Sequence, residues 1–128
     1  MPYIYAAVDS LIGKPAVGNG QCVALVEHYA HAPAPAATRW KAGQVVKGQT
    51  HILKGTAIAT FVNGRYPSAP TGNHAALYHS QDQHGIWVVD QYVGSHGIHK
   101  RLLRFKGKLA SGQFIDPSNN GDAFSVIR

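Results

Sequence analysis

The sequence predicts an α+β fold in which an early helix packs against an antiparallel sheet. Apolar residues recur at helical spacing in one segment near the start, several later segments are rich in β-branched and aromatic residues, and turn signals separate them. The 128 residues fit one domain, and 45% hydrophobic against 14% charged residues favours a folded core over disorder. We therefore expect residues 1–128 to form a single domain.

The helix is predicted over residues 21–30, where apolar side chains recur at spacings of three and four. A Gly-Asn-Gly turn precedes it, and Asn19 is the predicted N-cap. The Ala/Pro stretch 31–37 ends the helix, because proline cannot continue it. Cys22 therefore falls in the first helical turn.

Four strands are predicted to follow in an antiparallel meander, with the helix on one side of the sheet. The segment 40–48 before them is predicted to be irregular, and no element is predicted after residue 106. The predicted strands cover residues 55–62, 73–79, 86–93 and 98–106.

The net charge of +6 favours polyanionic partners. The densest basic cluster is Lys100, Arg101, Arg104, Lys106 and Lys108. It is consistent with a solvated strand face or with a surface that attracts an anionic polymer. The interleaved basic and aromatic pattern of RNA-binding sheets is missing from the sequence, so we expect no nucleic-acid partner.

The sequence contains no apolar run near the ~18 residues that cross a bilayer. Its first residues lack the basic segment and apolar core of a secretory signal. We expect a protein that is made in the cytoplasm without a signal peptide and does not insert into membranes.

The single cysteine, Cys22, is either an inert core residue or a reactive thiol. Free N–H groups and the positive end of the dipole at a helix N-terminus favour the thiolate. The same N–H groups can stabilise an oxyanion, and the preceding glycines allow a substrate to approach. This placement predicts that Cys22 is a nucleophile.

Among eight histidines, His74 is the predicted base, because it opens a strand and two alanines after it leave room for a docking helix. A third residue should orient its imidazole. If Tyr78 pairs with Ile86, His74 faces Asp90, whereas a slip of one residue selects Gln91. Both candidates stay open here, although a carboxylate would also stabilise the imidazolium.

Metal and cofactor chemistry find little support in the sequence. It contains no HExxH motif, no tight His/Asp spacing and no glycine-rich phosphate loop after a strand. We therefore expect neither a metal site nor a cofactor.

The segments GQCVALV (residues 20–26) and GNHAALY (72–78), followed by a strand with a polar end, resemble the papain-like murein hydrolases. The nearest broad groups are the cysteine, histidine-dependent amidohydrolase/peptidase family and the NlpC-type peptidases. With GTAIATFVNGRYPS (55–68) and VVDQYVG (88–94), the sequence more narrowly resembles the type VI secretion amidase effectors, cell-wall peptidases that are injected into rival bacteria.

The resemblance implies a papain-like fold and a catalytic set of Cys22, His74 and Asp90, with Gln91 as the alternative third residue. A glutamine there would orient the imidazole without stabilising its charge. We also expect substrate contacts from residues that directly precede the catalytic ones: Gly20, Gln21 and Asn73.

The implied function is hydrolysis of an amide bond in peptidoglycan, in the periplasm of a target bacterium. The implied partners are peptidoglycan, a secretion apparatus and a cognate immunity protein. Two other functions stay open: a cysteine deamidase or protease toxin that acts on proteins, and a basic binding module whose cysteine is inert.

Overall fold

The computed structural model describes residues 2–128, which form two α-helices and six strands. The helices are α1 (Cys22–Ala30) and α2 (Ala36–Arg39). The strands are β1 (Ala42–Val45), β2 (Ala57–Thr60), β3 (Ala75–Gln81), β4 (Gly85–Asp90), β5 (His99–Arg104) and β6 (Phe124–Ile127). No helix in the described part of the chain is long and apolar enough to cross a membrane.

All six strands form one antiparallel sheet in the order β1-β6-β2-β3-β4-β5. Strands β2 to β5 are the predicted meander, and the C-terminal β6 lies between β1 and β2. Helix α1 packs on β3. The predicted α+β layout, a cysteine-bearing helix on an antiparallel sheet, is therefore confirmed.

The two faces of the sheet bury different side chains, because successive strand residues point to opposite faces. Helix α1 contributes Leu25 and Val26 to the core on one face, together with these sheet residues: Ala57, Ala59, Ala75, Leu77 and Val89. The other face carries a second core that includes Ile58, Ala76, Tyr78, Val88, Leu103 and Phe124. The alanines of β2 and β3 leave space for α1 to lie close to the sheet.

The helix begins where it was predicted, but the predicted N-cap is wrong. Gln21 is the N-cap, in an extended conformation and without a side-chain capping bond. Asn19 instead accepts a hydrogen bond from the Gln21 N–H through its Oδ1 (3.0 Å), one step before the helix. Asparagine favours such local side-chain to backbone bonds in turns, which explains the error.

The prediction for residues 40–48 is wrong, and one further strand lies where no element was predicted. The segment predicted to be irregular contains β1, and the tail in which no element was predicted contains β6. Strand β1 pairs only with β6 at the sheet edge and is half-exposed, so its sequence AGQV needs no apolar face. Strand β6 is four residues long, too short for a local pattern to reveal it.

The predicted pairing of Tyr78 with Ile86 is wrong as well. Tyr78 pairs with Val88, and a bulge before Ser80 changes the register for the rest of the hairpin. The error amounts to two residues, which leaves every side chain on its predicted face because the side-chain period of a strand is two. Asp90 therefore still shares the face of His74.

Candidate active site

The candidate site lies at one end of the sheet, where three elements meet. Cys22 is the first residue of α1, His74 directly precedes β3, and Asp90 is the last residue of β4. Cys22 is half-buried, His74 is 5% exposed and Asp90 is fully buried. The structure thus brings together the nucleophile, the base and the favoured third residue that the sequence predicted.

His74 is fixed on both its side chain and its backbone. Its Nε2 lies 2.7 Å from Asp90 Oδ2, and its N–H donates to Thr60 Oγ1 (3.0 Å). With Nε2 committed to the carboxylate, Nδ1 is the ring nitrogen left for Cys22. Burial lowers the pKa of His74, but hydrogen bonds to Asp90 and Cys22 and their negative charges raise it to about 9.

The Cys22 thiol is more acidic than an ordinary cysteine. Burial is the largest single effect and raises its pKa, but the groups around the thiol together outweigh burial, with His74 contributing most through its hydrogen bond and positive charge. Smaller contributions that also lower the pKa come from the Ala75 N–H and from the Tyr66 hydroxyl, which lies 3.8 Å from Sγ. Cys22 and His74 can therefore form a thiolate–imidazolium pair.

Arg101 is a member of the site that the sequence analysis missed. Its Nε donates to both oxygens of Asp90 (3.1 and 3.0 Å), and its Nη2 donates to Oδ2 (2.6 Å). Burial raises the pKa of Asp90, but hydrogen bonds from His74 and Arg101 and their charges hold it below its usual value. Asp90 is therefore a carboxylate shared by two cationic groups.

Arg101 belongs to the basic cluster of residues 100–108, for which a solvated strand face is one of the two interpretations given above. Its neighbours Lys100 and Arg104 on β5 are indeed exposed, whereas Arg101 is half-buried. The period of two along β5 could have indicated the difference, because Arg101 shares a face with Leu103, which is buried.

Gln91, the alternative third residue, faces the other way. Because successive strand residues point to opposite faces of the sheet, the Gln91 side chain lies on the α1 side and the Asp90 side chain on the other. The Gln91 amide is fully buried: Nε2 donates to the carbonyls of Val17 (2.9 Å) and Gln21 (2.8 Å), and Oε1 accepts the Val17 N–H (2.9 Å). Gln91 thus holds the loop that leads into the cysteine, while Asp90 holds the histidine.

A cleft of about 670 Å³ opens at the site. This volume is within the range of ligand pockets. The lining residues include Cys22 and His74, and the others are Gln21, Val23, Tyr66, Ser68, Ala69, Pro70, Asn73, Tyr92, Val93, Arg101, Ser118 and Asn119. Within residues 2–128, no group of three or more His, Cys, Asp or Glu side chains is placed to hold a metal ion.

The three predicted substrate-contacting residues differ in their positions. Gln21 and Asn73 line the cleft, whereas Gly20 is not among the lining residues. Gly20 has φ +80°, a left-handed conformation that favours glycine. The turn before α1 therefore explains why a glycine stands at this position. Asn73 forms two hydrogen bonds with the backbone of Ala69 (3.1 and 2.9 Å), which fix the cleft wall. Direct substrate contact by the three stays a prediction.

Comparison with known proteins places the chain in a family. A family model described as domesticated amidase effector 2 matches residues 5–127. This chain belongs to that family. The type VI secretion amidase effector 2 protein of Salmonella typhi is 42% identical over 99% of both chains. Domesticated amidase effector 2 of Ixodes scapularis is 36% identical, over 87% of this chain and 72% of that protein.

A solved structure supports the same family relation. Type 6 secretion amidase effector 2 (Tae2) superposes with a TM-score of 0.88 at 39% identity, over 98% of this chain and 94% of that one. Membership of the domesticated amidase effector 2 family confirms the predicted amidase class, the relation to type VI secretion amidase effectors and the papain-like fold. The catalytic roles of Cys22, His74 and Asp90 stay predictions.

Gln91 should control the reactivity of Cys22 without touching it. In Gln91→Leu, the loop before α1 loses three hydrogen bonds, each worth about 1 kcal/mol, so Cys22 should drift from His74 and its thiolate population should fall. We expect the pH profile of alkylation of Cys22 by iodoacetamide to move to higher pH. At a pH below the midpoint of the wild-type profile, each unit of rise in the pKa should slow alkylation by about tenfold.

The matched control is Gln81→Leu. Gln81 joins a different loop to the sheet, through bonds to the backbone of Val46, Gln49 and Gly48, far along the chain from α1. Its loss should lower the midpoint of urea unfolding and leave the alkylation rate unchanged. Equal slowing in both variants, or none in Gln91→Leu, would contradict the positioning role.

Proposed function

We propose that this chain is a cysteine amidase that hydrolyses an amide bond in the peptide portion of bacterial peptidoglycan. The observation that carries the proposal is the arrangement of a half-buried Cys22 with the buried His74 and Asp90 at the wall of a peptide-sized cleft. Membership of an amidase effector family supports it. We further propose that residues 1–128 act as one catalytic domain.

The reaction begins with transfer of the Cys22 proton to His74 Nδ1. The thiolate attacks the amide carbonyl carbon, a C–S bond forms, and the carbonyl oxygen becomes an oxyanion. His74 then protonates the leaving amine as the C–N bond breaks, which leaves a thioester. His74 next takes a proton from water as the water oxygen attacks the thioester carbon. The C–S bond then breaks, and His74 returns the proton to the sulfur, so that the carboxylic acid leaves and the thiol is restored. Asp90 stabilises the imidazolium in both steps.

We propose two donors for the oxyanion, the backbone N–H of Cys22 and the hydroxyl of Tyr66. The first N–H groups of α1 have no partner within the helix. Burial, and then the negative charge of Cys22, raise the pKa of Tyr66 far above that of an ordinary phenol, so its hydroxyl keeps its proton. The Tyr66 ring packs on Trp40, with the ring centroids 4.9 Å apart, which fixes the direction of the donor.

We also propose delivery by a type VI secretion apparatus into the periplasm of a target bacterium, and inhibition by a cognate immunity protein. The name of the Salmonella typhi relative supports delivery of this kind. Export of the chain to the periplasm of a susceptible bacterium should lyse the cells, and intact cells with active exported enzyme would count against this setting.

The direct test of function is mass spectrometry of purified peptidoglycan fragments after exposure to the wild type and to Cys22→Ala. We expect the wild type to release peptides with one new carboxyl end and one new amine end. Loss of the nucleophile should reduce this release by about 10³-fold or more.

Two outcomes would count against the proposal. Equal release by Cys22→Ala would exclude a cysteine nucleophile. Intact fragments after exposure to the wild type, with a Cys22 that still alkylates rapidly, would retain the nucleophile and exclude this substrate.

The oxyanion donors can be tested with Tyr66→Phe in the same digestion. The variant keeps the packing on Trp40 and loses one donor, so we expect kcat to fall by about 10²-fold. Alkylation of Cys22 should fall much less than kcat, because Tyr66 makes only the smallest of the contributions that lower the pKa of the thiol. A fall in alkylation as large as the fall in kcat would mean instead that Tyr66 acts mainly by tuning the thiol.

A further inference from the structure

We propose that Arg101 binds a free carboxylate of the substrate next to the scissile amide. This inference rests on the proposed function and adds a recognition element to the same cleft. Arg101 lines the cleft together with Cys22 and His74, and it shares the Asp90 carboxylate with His74, so a group bound at Arg101 lies in the same cleft as the reacting atoms. It would make the enzyme selective for anionic peptides.

The guanidinium is only partly used by the protein. Its Nε and Nη2 donate to Asp90, while Nη1 has no hydrogen-bond partner within residues 2–128. The Arg101 side chain is 27% exposed and Asp90 is 0% exposed, so the carboxylate lies behind the guanidinium. The outer edge of the guanidinium therefore offers N–H donors to the cleft, in the geometry that suits a carboxylate.

The charges around the cleft favour an anion at this edge. The lining residues within the described part of the chain include no Asp or Glu. Arg101 is their one side chain that is charged at every working pH, because the pKa of His74 lies within reach of titration. An anionic substrate group thus meets a cation and no opposing carboxylate at the surface.

The orientation of Arg101 is already fixed before any substrate binds. Asp90 holds one edge of the guanidinium, and Tyr92 lies against its face, with the central carbon 4.9 Å from the ring centroid. A donor that is held in place loses little conformational entropy on binding. Tyr92 and Val93 are exposed at 41% and 73% and supply an apolar rim beside it.

The test uses synthetic stem-peptide fragments in matched pairs, in which one free carboxyl near the scissile amide is replaced by a carboxamide. We expect the wild type to lose about tenfold in kcat/KM for one such replacement, mainly through KM, as for loss of a charge-assisted hydrogen bond. Arg101→Gln should cleave both members of that pair at similar efficiency. Any effect of this variant on Asp90 acts on both peptides alike and cancels in the ratio.

The matched control is Arg104→Gln, the same change at an exposed residue of β5 that does not line the cleft, which should keep the wild-type ratio. If Arg101→Gln is too slow to assay, the affinities of the two peptides are compared in a Cys22→Ala background, with the same expectation. Equal cleavage of every pair by the wild type, or an unchanged ratio in Arg101→Gln, would overturn the inference. Cleavage of no peptide by the wild type would overturn the proposed function itself.

Discussion

The site depends on one carboxylate that is completely removed from water. A buried charge costs several kcal/mol unless it is compensated, and Asp90 has two cationic partners, His74 and Arg101. The three residues come from three adjacent stretches of the sheet, at β3, β4 and β5. Strand pairing therefore sets their relative positions. The two cores of the sheet specify its register, and the register in turn fixes how Asp90 and Arg101 are placed around the His74 imidazole.

A different set of contacts holds the nucleophile, Cys22. Cys22 belongs to α1, whose distance from the sheet depends on core packing and on the entry loop. Gln91 fixes this loop with three hydrogen bonds, directly after Asp90 in the chain. Asp90 and Gln91 are consecutive residues on opposite sides of the sheet: Asp90 positions His74, and Gln91 positions the loop that leads to Cys22. This coupling explains how a half-buried thiol can have a lowered pKa, since burial alone would raise it.

The sequence was sufficient for the features that depend on local pattern. The helix, its cysteine and the His74 strand could be predicted, and Asp90 could be favoured even with a wrong register, because an error of two residues preserves the face. Strand β6 could not be predicted, since it is short and its partners, β1 and β2, lie far from it in the sequence. Tyr66 was missed because its partner Cys22 lies 44 residues away in the sequence. Arg101 was missed for another reason: it stands in a run of basic residues that are mostly exposed, although Asp90 is only 11 residues away.

The most direct test of this arrangement is an NMR titration of the His74 imidazole in the wild type and in Asp90→Asn. With Asp90 ionised, we expect His74 to titrate with a pKa of about 9, above its ordinary value of 6.5. The amide removes the negative charge of Asp90, so the pKa of His74 should fall clearly below its wild-type value, because burial is then opposed only by Cys22. A wild-type His74 that titrates at or below 6.5, or the same pKa in both proteins, would contradict the role of Asp90.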